Sequence, residues 1–506
     1  EEIRAIIQKY ADAARRARRA GFDAVEIHGA HGYLITQFLS PLTNHRTDEW
    51  GGTPEKRMRF ALEVLRAVRE AVGPDFPIGY RLSALEGVPG GMTVEDTKVI
   101  ARALVDAGAD LLNITAGIPE ADIDIPLAHM PHGWNVPNAS AIREAVGRRV
   151  PVIAVSRHGV PELARRVVED DKVDMVALGR GLLADPYFPL KVQQHRDSEV
   201  LPCVSCNEAC VGRTRKALDV RCAFNPRTGF EGVYPYHPQK VSEPRNIAVA
   251  GGGPAGMQAA LHAAERGHHV TLFEEQDTLG GLLKLAALPP FKEDLFGVLN
   301  YFRHMIGQSD NITVRLGERA TVEKLKALSP DDIIVATGSA PVMPRFCQDN
   351  PLVHSAADIL SEKCAPGKNV LVLGGGLIGC ECSEWLASRG CSVTIVEMRP
   401  EVAADMQASN KRWLLQRLNG YHVHMWTGTE LKSIDEKGNV LIKTPYTEKT
   451  LTGFDTLVMA IGYRSVNCLC ADLASAGMPF HAVGDCRQVG KLIDAIHESF
   501  ALADRL

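Results

Sequence analysis

Apolar residues recur along the first 195 positions in two alternating rhythms, a short β-rich run and then a stretch of period 3.6. The runs predict strands at Ala24–Ile27, Pro77–Leu82, Asp110–Ile114, Pro151–Val155 and Val173–Leu178. Between them lie amphipathic stretches. Glu2–Ala20 sets Ile3, Ile6, Ile7, Tyr10 and Ala14 on one stripe, and Thr93–Ala107 opens with a candidate capping box of Thr93 and Asp96. Such alternation implies parallel strands joined by helices.

Polar residues gather where these strands end: His28, His31 and Tyr33, then Arg81, then Ser156 and Arg157, then Gly179 and Arg180. Active sites of (β/α)8 barrels are built at that edge, which favours a barrel over a doubly wound sheet. A closed barrel needs eight strands in about 250 residues, whereas five are read here. The chain also opens at Glu1, directly in a helix. The expectation is an N-terminally incomplete (β/α)8 TIM barrel over residues 1–195.

The remainder contains an internal repeat. Asn246-Ile-Ala-Val-Ala-Gly-Gly-Gly-Pro-Ala-Gly256 and Asn369-Val-Leu-Val-Leu-Gly-Gly-Gly-Leu-Ile-Gly379 are offset by 123 residues, as are Glu274 and Glu397. Each copy follows an apolar strand, opens a helix and has a carboxylate at the next strand's end, the dinucleotide fingerprint. Gly251, Gly253 and Gly256 form the first set, Gly374, Gly376 and Gly379 the second.

Between the two halves stand Cys203, Cys206, Cys210 and Cys222. Three thiols from one tight loop and a fourth returning after a short excursion suit an iron–sulfur cluster. Zinc is the alternative, but it usually takes paired C-x2-C knuckles or finger spacing, and neither is present. Cys380, Cys382 and Cys391 read as packing residues. Composition adds limits. The chain has 506 residues, 45% hydrophobic, a net charge of −5 and twelve cysteines. No basic block suggests nucleic acid, no apolar run is long enough for a bilayer, and the cysteine usage fits a reducing cytoplasm.

The segments Val25-Glu-Ile-His-Gly-Ala-His-Gly-Tyr-Leu34, Gln37-Phe-Leu-Ser-Pro41, Asn44-His-Arg-Thr-Asp-Glu-Trp-Gly-Gly52 and Leu178-Gly-Arg-Gly-Leu-Leu-Ala-Asp-Pro186, with the cysteine cluster, resemble one family. It is that of the iron–sulfur flavoproteins joining an old-yellow-enzyme barrel to a disulfide-reductase-like module. The resemblance implies FMN on the barrel, with Arg81 near the flavin N1–C2 carbonyl and Ser156, Arg157, Gly179 and Arg180 at its phosphate. His28 and His31 would hold a substrate carbonyl, and Tyr33 would protonate the α-carbon. The four cysteines would carry a [4Fe-4S] cluster. The first fingerprint would bind FAD, with Glu274 on its ribose and Gly281, Gly338, Gly484 and Asp485 completing the site. The second would bind NADH, with Glu397 on the ribose and NADPH an alternative.

The expected organisation is a barrel at 1–195, a cluster segment and linker at 196–243, an FAD domain at 244–350 and 465–506, and a nucleotide domain at 351–464. A cluster moves single electrons whereas nicotinamide delivers hydride, so it belongs between two flavins. The expected activity is NADH-dependent reduction of an activated C=C bond in an α,β-unsaturated carbonyl or acyl-CoA substrate. In the dienoyl-CoA branch of the family a histidine proton donor follows the third strand; Pro119 stands in its place here and shifts weight from that substrate. The alternatives are an amine dehydrogenase running the relay in reverse, and a truncated, non-catalytic flavin and cluster scaffold.

Overall fold

The computed structural model describes residues 1–121, 123, 125–345 and 350–506. It divides into two compact units, Glu1–Leu182 and Leu183–Leu506. In the first, β1 (Val25–Gly29), β2 (Ile78–Ser83), β3 (Leu111–Thr115), β4 (Val152–Val155) and β5 (Met175–Ala177) form one parallel sheet in sequential order. Each next strand adds to the same edge, which is barrel order; a doubly wound sheet reverses direction at its first strand. The predicted strands are all present, shifted by one or two residues. The amphipathic helices run Glu2–Arg19 and Val94–Asp106, and Thr93 and Asp96 do close a capping box.

Side chains alternate across this sheet. Ile78, Tyr80, Leu82, Leu112, Ile114, Val152 and Ala154 turn to the helix-covered face and are buried. Burying each aliphatic side chain is worth about 1.5–3 kcal/mol, so that face carries the unit's core. The opposite face is polar. His28, Arg81 and Asn113 occupy paired register positions on neighbouring strands.

The second unit holds two Rossmann-like sheets. One has β6 (Asn246–Ala250), β7 (His269–Glu274), β8 (Ile312–Leu316), β9 (Asp332–Val335) and the late strand β20 (His481–Ala482), in the order β20-β9-β6-β7-β8. β10 (Ser339–Pro341) pairs antiparallel with β19 (Tyr463–Ser465). The other sheet has β11 (Val353–Ser355), β12 (Asn369–Leu373), β13 (Ser392–Val396), β14 (His424–Trp426) and β18 (Thr456–Met459), in the order β11-β18-β12-β13-β14. A small sheet of β15 (Glu430–Ile434), β16 (Val440–Lys443) and β17 (Glu448–Leu451) sits within the same segment. The segment from Leu183 onward packs with the second unit. Asn225 Nδ2 donates to the Ala184 carbonyl and Thr228 Oγ1 to that of Leu183.

One device recurs in all three large sheets. An aspartate just before one strand accepts the first N–H of its neighbour: Asp110 from Ile78, Asp174 from Val152, Asp331 from Asn246 and Asp455 from Asn369, at 2.7–2.9 Å. In the first unit each such aspartate also pairs with an arginine from the helix preceding that neighbour, Arg69 with Asp110 and Arg143 with Asp174. The clamps sit at the strand N-terminal ends, opposite the polar edge. Arg143 is 6% exposed, and removing Asp174 takes two of its hydrogen bonds and the acceptor of the Val152 N–H, leaving Asp171 at 2.9 Å as its remaining carboxylate. Asp174→Ala is predicted to cost about 3 kcal/mol in urea unfolding, with the near-ultraviolet spectrum of the native state retained.

Candidate functional site

β1 delivers His28, and the turn after it delivers His31 and Tyr33. The three rings meet: His28 lies 5.2 Å from His31 and 5.3 Å from Tyr33, centroid to centroid. His31 adopts a left-handed backbone, φ +60°, uncommon outside glycine. Two residues of neighbouring strands hold it there. Ser83 Oγ at the end of β2 accepts from the His31 N–H at 3.0 Å, and Thr115 Oγ1 at the end of β3 bonds its Nε2 at 2.9 Å. Nδ1 is the nitrogen left to face a substrate.

Burial, then the Arg81 guanidinium, then His28 push the His31 imidazolium down to about 4, so it is neutral at physiological pH. His28 is lowered by burial and by Arg81 against the opposing pull of Glu26. Arg81 has a buried Nε without a hydrogen-bond partner. A half-desolvated guanidinium with an unanswered donor fits the flavin N1–C2 edge, where negative charge accumulates on reduction. Tyr33 is 60% exposed, as a group that meets an incoming substrate would be. Ile118 and Pro119 lie against Gly32, within 3.5 Å of where its Cβ would stand, so the position that could have held a second proton donor is an apolar wall.

The predicted phosphate residues divide. Gly179 is exposed with open space about it, and Arg180 begins the helix that follows β5. Ser156 and Arg157 are engaged by the protein's own backbone. Ser156 is fully buried, and its Oγ accepts from the Asn135 N–H at 2.6 Å. Arg157, left-handed at φ +46°, turns its guanidinium onto the carbonyls of Ala128 and Met130. Both pin the segment between β3 and the next helix, which brings its own unpaired carbonyls and amides that a sequence cannot display.

In the second unit, the two fingerprints repeat down to single hydrogen bonds. Glu274 accepts from Gly252 N–H at 2.7 Å and Gln276 N–H at 2.8 Å; Glu397 accepts from Gly375 N–H at 2.6 Å and Arg399 N–H at 2.7 Å. A Cβ on Gly256 would stand 1.8 Å from the Gly251 carbonyl oxygen, and one on Gly379 1.9 Å from that of Gly374. Only glycine lets these helices approach their strands. Gly253 and Gly376 have open space instead, and each N-caps its helix with no side-chain cap, leaving amides for a pyrophosphate. Gly281 abuts Gly253, and Gly338 borders open space. Asp485 accepts from Ser339 Oγ at 2.6 Å and from Gly490 N–H, while the Gly484 amide is taken by Glu498. Arg399 pairs with Asp405 at 3.1 Å.

Cys203, Cys206, Cys210 and Cys222 lie within electrostatic reach of one another. Among the described residues no three His, Cys, Asp or Glu side chains converge tightly enough to hold a single ion. Burial pushes Cys206 up to about 12 and Cys222 higher still. Backbone N–H groups of Glu208, Phe224 and Asn225 aim at these sulfurs and favour the thiolate form. Ser205 and Asn207, both left-handed, curl the loop that carries three of the four. Cys380 and Cys382 are buried in a hydrophobic cluster with Trp385 and Leu386, as packing residues are.

Comparison with known proteins agrees with this geometry. Residues 1–199 match the NADH:flavin oxidoreductase / NADH oxidase family, and residues 245–484 the pyridine nucleotide-disulphide oxidoreductase family. The chain is 41% identical over 510 residues to an NADH oxidase of Thermoanaerobacter brockii, covering 99% of this chain and 78% of that protein. It is 33% identical to a cinnamate reductase of Clostridium sporogenes, covering 100% of this chain and 78% of that one. Among solved structures, a 2-naphthoyl-CoA reductase in complex with 2-naphthoyl-CoA superposes with a TM-score of 0.95 at 32% identity, covering 100% of this chain and 76% of that one.

The loop after β4 also holds His158, 1% exposed, with neither ring nitrogen bonded among the described residues. Burial, and then His132, push it down to about 4 from 6.5. Between pH 6.5 and 4 the unfolded chain binds a proton that the folded chain refuses. Stability therefore falls as pH drops through that window and levels below it. The expected loss from this group is on the order of 3 kcal/mol. His158→Leu should remove that part of the slope in urea melts taken from pH 7 to 4.

Proposed function

Because the chain belongs to the NADH:flavin oxidoreductase / NADH oxidase family, we propose that it reduces the activated C=C bond of an α,β-unsaturated acid or acyl thioester. NADH enters at the second fingerprint, and the reaction is completed at the polar edge of the first unit's sheet. When bound, FAD accepts hydride from NADH, the [4Fe-4S] cluster passes the electrons singly, and FMN delivers hydride to the substrate β-carbon. The observation that carries this reading is the cluster of His28, His31 and Tyr33 beside Arg81.

His28 and the free Nδ1 of His31 donate to the substrate carbonyl oxygen, where charge develops as the β-carbon is reduced. Their neutrality matters. A neutral imidazole donates a hydrogen bond without protonating the carbonyl, and burial, with Arg81 after it, favours that form in both rings. Tyr33 gives its phenol proton to the α-carbon. With Ile118 and Pro119 as an apolar wall beside Gly32, Tyr33 is the proton donor this site offers. The phosphate of FMN would rest on Gly179 and Arg180, with Ser156 and Arg157 shaping the neighbouring loop.

The preference for NADH rests on Glu397. Its carboxylate is buried, fixed by two backbone amides, and would repel a 2′-phosphate, while Arg399 is turned to Asp405. The four cluster cysteines are the metal ligands of this reading. None of the eleven described cysteines is paired in a disulfide, which is compatible with a reducing cytoplasm as the compartment. No helix among the described residues is long and apolar enough to cross a membrane.

Tyr33→Phe tests the assignment. Cinnamate or a cinnamoyl thioester reduced at the expense of NADH should slow roughly 10²-fold, whereas the rate at which NADH bleaches the enzyme's flavin under anaerobic conditions should not change. Equal loss of both rates would contradict the role given to Tyr33. His31→Ala should lower alkene reduction by roughly 10²–10³ with the same sparing of flavin reduction.

A further inference from the structure

Two hydroxyls at neighbouring strand ends divide the work of holding His31. Ser83 closes β2 and Thr115 closes β3, and the two are register partners at the polar edge of the sheet. Both are buried, at 1% and 2% exposure. Ser83 holds the backbone. Its Oγ accepts from the His31 N–H at 3.0 Å and donates to the Gly117 carbonyl at 3.1 Å, so its one hydrogen is spent. Thr115 holds the ring, with Oγ1 2.9 Å from Nε2. The Thr115 carbonyl is taken by the Ala84 N–H at 2.7 Å, and among the described residues Nε2 is the partner of its hydroxyl.

That pairing fixes a direction. A threonine hydroxyl has one hydrogen to give, and Nε2 is the acceptor within its reach. Were Thr115 to accept from Nε2 instead, its own hydrogen would go unanswered in a place almost closed to solvent, which buried polar groups avoid. The hydroxyl therefore donates to Nε2. A neutral imidazole carries a single N–H, so the ring's own hydrogen then sits on Nδ1, the nitrogen with no partner among the described residues. Ser83 sets where the ring starts from, and Thr115 sets which nitrogen is the donor.

We propose that Thr115 is a positioning residue that selects the Nδ1–H tautomer of His31 and so commits this ring to substrates that offer it an oxygen acceptor, a carbonyl or a carboxylate. It rests on the reading of His31 as a donor to the substrate. Thr115 acts through His31 and moves no proton of the reaction. In the other tautomer Nδ1 would turn a lone pair on the same spot, repelling a carbonyl oxygen and suiting an N–H donor such as a protonated amine. Residue 115 thus weighs an unsaturated carbonyl compound against an amine at this ring. Without the hydroxyl nothing holds the hydrogen on Nδ1, and the ring returns toward the Nε2–H form that histidine favours in water. Valine keeps the shape of threonine and lacks the hydroxyl, so Thr115→Val separates tautomer choice from packing.

The test is nitrogen-15 NMR of the purified full chain labelled at histidine, in which the ring couplings distinguish Nδ1–H from Nε2–H and the His31→Ala chain identifies the His31 signal. The parent should show Nδ1–H, Thr115→Val should shift toward Nε2–H, and Thr115→Ser should return the parent pattern. In parallel, Thr115→Val should lower kcat/KM for a cinnamoyl thioester roughly 10²-fold, with the rate of flavin bleaching by NADH unchanged, and Thr115→Ser should recover most of the loss. An Nε2–H signal in the parent, a tautomer unmoved in Thr115→Val, or a changed tautomer with an unchanged rate would overturn the proposal. If Thr115→Val fails to fold, the parent signal decides. A parent chain that shows Nδ1–H yet reduces no unsaturated acid or thioester would instead refute the functional reading, a result distinct from the wrong tautomer.

Discussion

Carboxylates that answer backbone N–H groups at strand ends hold this structure in register. At the N-terminal ends, Asp110, Asp174, Asp331 and Asp455 each take the first amide of a neighbouring strand. At the C-terminal ends of the Rossmann-like sheets, Glu274 and Glu397 take amides of the glycine turns. A one-residue slip in any of these strands would turn its apolar set to the wrong face and also leave a backbone amide without its carboxylate. With register fixed from the far end, the near ends are free to carry polar groups that contribute little to stability. His28, Arg81 and Thr115 stand at neighbouring strand ends because their strands cannot slide.

Electrostatics at the near edge follows from that placement. Burial first, and then the charge of the partly buried Arg81, lower His28 and His31 and favour their neutral forms. The guanidinium thus adds to what burial does for the imidazoles and would also meet the growing negative charge of a flavin. The proton then has to come from elsewhere, and Tyr33 is the exposed phenol within ring contact of His28. The left-handed backbone at His31 and Arg157 marks two of the turns where the chain accepts strain to aim a side chain.

Strand order, the duplicated fingerprints and the three-ring cluster were legible in the sequence because each rests on periodicity or short spacing. The stripe Ile3, Ile6, Ile7, Tyr10 and Ala14 does face the core. Contacts that join distant positions were not legible. Thr115 lies 84 residues from the His31 it orients. Glu86, 1% exposed and bonded by Ser40 Oγ and Met92 N–H, gives Ser40 a structural reason to stand in its family-like segment. Asn44 likewise spends its amide on the Phe38 and Trp50 carbonyls. Ser156 and Arg157 read as phosphate donors because loop polarity looks the same whether it meets a ligand or the chain's own backbone. The sequence placed them at the right edge and could not show that a neighbouring segment uses them first.

On this reading electrons from NADH reach a flavin on the first unit by way of a cluster on the second. An anaerobic titration of the purified full chain with NADH, following flavin and cluster absorbance together, probes that path. Bleaching of both flavin bands and the cluster band with NADH, and far weaker bleaching with NADPH, is the predicted result. Reduction of a single flavin with the cluster band unmoved, or indifference to NADH altogether, would contradict it.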